Sequence, residues 1–296
     1  MKASEKIGVI GLGLMGQAFA MRLEDHGFTA LGYDINPEKC AEFGKLKVTN
    51  SPLELAIQCK TLVICLFDGQ QIKELLIGDQ GLLKNSSGTP NNLICTSTCE
   101  PDEITLIAKA CDSQGFQFLE MPISGTSRQV SNGDSLGLMG GDLRLIEELE
   151  PILNAMCQKR MHVGEIGTAS KSKLAVNLVL GLHRAALAEG LIFGSRIGLD
   201  PIKLLELLEN SAAASSVMKI KGPLMANQDY DNPQSRVDQS LKDFSLIQKL
   251  AHQANQPLTL ASEDIRLLNQ CMEVGEGKKD NAIIAEAIRR NGELKK

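Results

Sequence analysis

The sequence predicts an α/β fold: a doubly wound, mostly parallel sheet in the N-terminal half, an all-helical C-terminal half, and one long interdomain helix joining them. Three observations carry this. Short apolar runs alternate with helical patterns from Lys6 to Val163. A Gly-containing turn at Gly164 then opens one helical pattern that runs to Glu189 without Pro. Beyond it the chain keeps helical periodicity. With 296 residues, 43% of them hydrophobic, the chain holds enough apolar material for two domains. We place them at 1–163 and 164–296.

Composition narrows the function classes. A net charge of −5 gives no broad electrostatic footprint for nucleic acid. The eight cysteines are scattered without a CxxC pair or a Cys/His zinc spacing, so no metal site is expected. Cys65 and Cys95 sit inside apolar runs and read as small core residues, which suggests a reducing compartment. No apolar signal core opens the chain and no run approaches transmembrane length. The expectation is a soluble, cytoplasmic protein with neither a membrane nor a nucleic-acid partner.

In chain order, Lys6 to Ile10 is a β-rich run. Gly11-Leu12-Gly13-Leu14-Met15-Gly16 follows, then a helical pattern from Gln17 to His26, and a second strand from Thr29 to Tyr33 ending at Asp34. Strand, G-x-G-x-x-G, helix, strand and acid form a dinucleotide-binding fingerprint in its proper context. The first Gly permits the tight turn, the second lets the backbone approach a pyrophosphate, and the third lets helix and strand pack closely. A Gly-rich turn in another α/β fold is the competing reading. Asp34 falls where a carboxylate accepts hydrogen bonds from ribose hydroxyls and repels a 2′-phosphate, favouring NAD over NADP. Alternatively, Asp34 or Asn36 merely caps the helix that Pro37 starts.

Ser51-Pro52-Leu53-Glu54 is a capping-box signature. Thr61 to Phe67 reads as a buried strand, with Leu66-Phe67-Asp68 at the edge where such a sheet places its ligand. A helix from Gln70 to Ile77, a polar loop from Lys84 to Asn92, a strand from Leu93 to Ser97, a helix from Pro101 to Gln114 and a strand from Phe116 to Leu119 follow. In the next stretch Ser124-Gly125-Thr126 offers hydroxyls and accessible backbone N–H groups suited to a carboxylate, or it is an ordinary polar loop. Leu136 to Met139 reads as a strand, Asp142 to Met156 as one helix and Arg160 to Val163 as a last strand. On the long helix, Lys173 and Asn177 are four residues apart and share a face. They are either a substrate-orienting pair in a cleft between domains or a solvated Lys and a surface Asn. Asp200-Pro201 caps another helix. Gln239 to Ala254, Thr259 to Val274 and Asn281 to Arg290 show helical periodicity, and Glu293 to Lys296 read as a frayed end.

With these segments placed, the sequence resembles the β-hydroxyacid dehydrogenase family over nearly its whole length. IGVIGLGLMG resembles the family's cofactor fingerprint, FLEMPISG its D-A-P-V-S-G motif and LKDF its K-D-L motif. GEIGTASKSKLAVN lays without gaps on G-x-x-G-x-G-x-x-x-K-x-x-N-N. That register places the family lysine on Lys173; Lys171 is rotated by about 200° on an ideal helix.

The resemblance implies a Rossmann-type N-terminal domain and NAD(P)-dependent hydride transfer between nicotinamide and a small 3-hydroxy acid or semialdehyde. It implies Lys173 as catalytic general acid/base, Asn177 orienting substrate and lysine, and Ser124, Gly125 and Thr126 holding a substrate carboxylate. Leu66, Phe67, Thr98 and Lys242 would complete a cofactor pocket around Gly11, Leu12, Gly13, Leu14, Met15 and Gly16. It further implies a homodimer or homotetramer. Ala169, Val176, Glu120-Met121, Thr126 and Asp68 depart from the usual pattern, which leaves the substrate's identity open. An imine reductase shares the architecture but typically carries an acid or Tyr in place of Lys173. A non-catalytic dinucleotide-binding scaffold is the reading from another class, and retention of Lys173 and Asn177 argues against it.

Overall fold

The first strand sets the pattern for the N-terminal unit. In the computed structural model, which describes residues 4–43, 47–85 and 92–293, β1 (Lys6–Ile10) is central and buries both of its faces. Ile7 and Val9 enter one apolar core, while Ile10 enters another on the opposite side. The same division separates Val63 from Leu62 and Ile64, and Ile94 from Leu93 and Cys95. Successive side chains of a strand point to opposite faces, so a strand covered on both sides reads as a continuous apolar run.

The elements of this unit are β1, α1 (Leu14–Asp25), β2 (Thr29–Tyr33), α2 (Pro37–Glu42), β3 (Lys47–Val48), α3 (Pro52–Gln58), β4 (Thr61–Ile64), α4 (Gly69–Ile77), α5 (Leu82–Asn85), β5 (Asn92–Cys95), α6 (Pro101–Ser113), β6 (Gln117–Glu120), β7 (Ile123–Ser124), α7 (Ser127–Asn132), β8 (Leu136–Gly140), α8 (Leu143–Glu148), α9 (Glu150–Met156) and β9 (Lys159–Gly164). The strands form one sheet in the order β3-β2-β1-β4-β5-β6-β8-β7, with β9 paired to β8. Pairing is parallel from β3 through β6 and between β8 and β9; only β8 against β6 and β7 is antiparallel.

Several expectations shift. β4 ends at Ile64, so Leu66 and Phe67 lie beyond the strand. The expected helix Asp142 to Met156 is two helices, α8 and α9, broken at Leu149 ahead of Pro151, because a proline inside a helix has no N–H for the carbonyl four residues back and its ring clashes with it, whereas it is tolerated in a first turn. At α3, Ser51 accepts from the Glu54 N–H, but the Glu54 carboxylate reaches the Asn50 N–H instead of closing the box on Ser51. β3, α5, β7 and α7 are further elements, which the sequence pattern does not announce. Most of the expected loop at 84–92, and residues 294–296 of the expected frayed end, lie outside the described residues.

α10 (Thr168–Arg196) follows β9, and the chain divides into two units inside it, Met1–Lys173 and Leu174–Lys296. The second unit continues with α11 (Pro201–Glu209), α12 (Ser216–Asn227), α13 (Val237–Gln253), α14 (Thr259–Glu273), a 3-10 turn (Asn281–Ile283) and α15 (Ile284–Glu293). α12 carries Pro223 inside it, a residue that reads as a helix breaker in sequence. Leu187, Leu191, Phe244, Leu268 and Ile284 centre this unit's core. Contrary to expectation, α10 is long and apolar enough to cross a membrane. It nevertheless supplies Leu174, Leu187 and Leu191 to the core of its own unit, and its Arg184 pairs with buried Asp264 at 3.3 Å. Of its apolar window, 33% is buried within the structure.

Candidate functional site

Gly11 to Gly16, Asp34, Leu66, Phe67 and Thr98 lie past the C-terminal ends of β1, β2, β4 and β5, where ligands bind open α/β sheets. In the turn between β1 and α1, Gly11 has φ +91°, and a Cβ there would stand 2.4 Å from the Cys65 carbonyl oxygen. A Cβ on Gly16 would stand 1.8 Å from the Gly11 carbonyl oxygen. Those two positions are fixed by backbone packing. Gly13 differs: a Cβ there would meet nothing within 4 Å. It is the N-cap of α1 and no side chain caps the helix. Open space thus lies over a helix N-terminus whose first N–H groups have no intrahelical partner. This is the cradle a pyrophosphate requires, and the residues fit a dinucleotide.

Asp34, past the end of β2, ties this turn to its neighbour. Its Oδ2 accepts from the Leu12 N–H at 2.7 Å and its Oδ1 from the Asn36 N–H at 2.8 Å. The two alternatives from sequence separate here, because Asn36 is the cap of α2, accepting from Glu38 at 2.9 Å, and Asp34 is not. Beside Asp34 opens a cavity of about 330 Å³ lined by Tyr33, Ile35, Pro37, Thr49 and Asn50 among others, with no cation among the described residues of its lining. Sequence reasoning missed the Thr49-Asn50 wall; its one signal was a polar pair ahead of the Ser51 cap. On the other side, Leu66 approaches Gly11, its Cδ2 lying 3.1 Å from where a Gly11 Cβ would stand. The Leu66 N–H donates to Ser97 Oγ at 2.9 Å, and the Phe67 N–H to Gln71 Oε1 at 3.0 Å. Thr98 follows β5 and is half-buried. Burial pushes the Cys65 thiol up to about 12, against a hydrogen bond from Thr96.

Ser124 ends β7 and Gly125 follows with φ +149°, a conformation that favours glycine. Thr126 corrects part of the expectation. It caps α7 in a complete capping box, its N–H donating to Gln129 Oε1 at 2.9 Å and its hydroxyl oxygen accepting from the Gln129 N–H at 3.3 Å. Its N–H is therefore taken within the loop, while the Ser124 and Thr126 hydroxyls and the Gly125 N–H are the donors left for a carboxylate.

Lys173, near the start of α10, is 7% exposed, whereas Lys171 lies on the helix's exposed face. In the second unit Asn177 donates from Nδ2 to Asp243 Oδ2 at 2.8 Å, and Lys242 Nζ lies 3.1 Å from Asp243 Oδ1. Asn177 and Lys242 are thus brought together through Asp243, the third residue of LKDF, which sequence reasoning did not single out. No group of three or more His, Cys, Asp or Glu suited to a metal occurs among the described residues.

Residues 6–164 match the family model for the NAD binding domain of 6-phosphogluconate dehydrogenase. Residues 167–288 match that for the NAD-binding region of NADP-dependent 3-hydroxyisobutyrate dehydrogenase. Glyoxylate/succinic semialdehyde reductase 2, chloroplastic, of Arabidopsis thaliana is 29% identical over 286 residues, covering 96% of this chain and 79% of that protein. L-threonate dehydrogenase of Cupriavidus necator is 29% identical over 286 residues, covering 95% of each. The crystal structure of a 3-hydroxyisobutyrate dehydrogenase from Salmonella typhimurium superposes with a TM-score of 0.86 at 25% identity, over 96% of this chain and 99% of that one.

Proposed function

This chain belongs to the β-hydroxyacid dehydrogenase family and is an NAD(P)-dependent oxidoreductase acting on CH–OH donors; we propose that it interconverts a small 3-hydroxy acid and its semialdehyde with Lys173 as general acid/base. The observation that carries this is the burial of Lys173 at the start of α10, two residues from exposed Lys171. A long flexible cation held out of bulk water is suited to managing a proton at a substrate oxygen.

The bound nicotinamide supplies or accepts the hydride. In reduction, Lys173 stabilises the developing alkoxide and donates a proton to it; in oxidation, a neutral Lys173 takes the alcohol proton. Ser124 and Gly125 hold the substrate carboxylate through a hydroxyl and a backbone N–H, with Thr126 shaping the loop from its capping position. Asn177, itself oriented by Asp243, aligns substrate and lysine. The turn from Gly11 to Gly16, with Leu66, Phe67, Thr98 and Lys242, holds the dinucleotide.

NAD is favoured over NADP. Asp34 places a negative charge at the ribose position, and none of the described residues lining the cavity beside it is a cation for a 2′-phosphate. The chain self-associates as a homodimer or homotetramer. Val179, Phe193 and Ile197 of α10 and Ile202 and Leu207 of α11 leave apolar surface exposed in the second unit, which supports such a contact. The eight cysteines carry no disulfide, which supports a reducing, cytoplasmic setting.

The test is oxidation of NADH and of NADPH against succinic semialdehyde, tartronate semialdehyde, methylmalonate semialdehyde and glyoxylate. Turnover of one semialdehyde with NADH preferred is the expected result. Preference for NADPH would overturn the reading of Asp34. Dinucleotide binding without turnover of any of the four would overturn the substrate class.

A further inference from the structure

We propose that Glu120 is a positioning residue, clamping the start of α10 to the end of β6 and so fixing Lys173 relative to the Ser124-Gly125 loop. This rests on the reading of Lys173 as the acid/base. Glu120 is the last residue of β6 and is fully buried. Its carboxylate is spent entirely on the beginning of α10. Oε2 accepts from the Gly167 N–H at 2.8 Å, and Oε1 accepts from the Ser170 N–H at 2.7 Å and from the Ser170 hydroxyl. No cation pairs with it among the described residues.

Burying a carboxylate without a cation costs several kcal/mol unless hydrogen bonds and a helix N-terminus offset it. The strand does not need that group to pack, since Phe118 and Leu119 before it and Met121 after it are buried apolar residues. An apolar side chain at this point would avoid the cost. What the carboxylate supplies is a directional tie straight from β6 to the start of α10, which the sheet joins only indirectly through β8 and β9.

The segment it holds is fixed from other sides as well. The Gly141 N–H donates to the Gly164 carbonyl at 3.0 Å. Gly167, at φ +90°, packs so closely on α6 that a Cβ would stand 2.8 Å from Thr105 Oγ1. Gly140, opposite Glu120 in the sheet, leaves room for the longer acid: a Cβ there would stand 2.8 Å from Glu120 Oε2. From this clamp the geometry runs two ways. Ser170 and Lys173 are i, i+3 neighbours on one side of α10. In the other direction Met121 and Pro122 lead straight from Glu120 into β7 and Ser124. One side chain thus relates the lysine to the loop that holds the substrate.

Glu120→Asp draws the carboxylate back by one methylene. Glu120→Gln keeps the shape but sets an NH2 against N–H donors. Both variants are expected to lower kcat about 10–100-fold, the effect of displacing a catalytic group by roughly 1 Å. Dinucleotide affinity should stay near the wild-type value. The primary isotope effect with deuterated nicotinamide should rise, because the chemical step becomes slower; a merely structural loss lowers the active fraction and leaves that isotope effect alone.

Ser170→Ala removes one donor with the backbone intact, and a smaller change in the same direction is expected. It decides the matter if the Glu120 variants do not fold. A wild-type kcat and isotope effect in Glu120→Gln, or in Ser170→Ala where the former does not fold, would overturn the proposal. Lys173→Ala run alongside separates the two readings. If it is inactive while Glu120→Gln is normal, only the positioning role falls. If it turns over normally, the lysine reading falls, and this proposal with it.

Discussion

At Asp34 a single carboxylate does two jobs, accepting from the Leu12 N–H inside the turn and presenting charge to the cavity beside it. Asp34→Asn keeps an oxygen for Leu12 and removes the charge that repels a 2′-phosphate. We expect the ratio of kcat/KM for NADPH over NADH to rise about tenfold, equivalent to roughly 1.4 kcal/mol. Steady-state kinetics with both cofactors measures it, and an unchanged ratio would show that Asp34 does not set the preference. Residues of this kind are legible in sequence because their chemistry is local. Gly11 and Gly16 are demanded by backbone approach within one turn, and the acid stands at a fixed point after the second strand. Thr126 was less legible: its N–H looked accessible only because α7, whose Gln129 claims it, lies in a stretch of Ser, Arg, Gln and Asn without apolar periodicity. Asp243 escaped notice because its contact to Asn177 joins residues far apart in sequence, which spacing does not reveal.

At the scale of elements, the central strands were legible because burial on both faces leaves continuous apolar runs, whereas β3 and β7 are two residues long and carry no periodicity to read. α12 was hidden by Pro223, and the break between α8 and α9 by a helical pattern that continues across it. The tie between β6 and α10 carries its own pH dependence. Burial pushes the Glu120 carboxyl above the ordinary glutamate range, with hydrogen bonds from Ser170 and Gly167 opposing. The folded protein therefore holds this proton more tightly than the unfolded chain does. The stability it contributes is present below the unfolded value and is lost as pH rises through the folded one. Relative to Glu120→Gln, wild-type stability should decline as pH rises above the ordinary glutamate range. Denaturant midpoints across a pH series measure the difference, and parallel profiles for the two proteins would contradict it.

Across the whole molecule, the two halves follow different rules: one is organised by a sheet with apolar cores on both faces, the other by helices packed around α10. The second half also buries charge. Arg184 lies 3.3 Å from Asp264 and reaches Ser240, and burial pushes the Asp264 carboxyl up against the pull of Arg184. Removing one partner strands the other, so Arg184→Ala should cost about 3–5 kcal/mol, read from denaturant unfolding; an unchanged midpoint would mean that Asp264 is solvated or neutral without it. Apolar patterning could announce the all-helical half, but these inward charges could not be told from a solvated face. The proposed chemistry turns on one side chain, Lys173, buried where Lys171 is exposed. The most direct measurement is turnover of Lys173→Ala and Lys171→Ala beside the wild type, with dinucleotide affinity taken by fluorescence titration. Loss of kcat by about 10²–10⁴ in Lys173→Ala, with near-normal dinucleotide binding and an active Lys171→Ala, is the predicted result. Near-normal turnover in Lys173→Ala would contradict it.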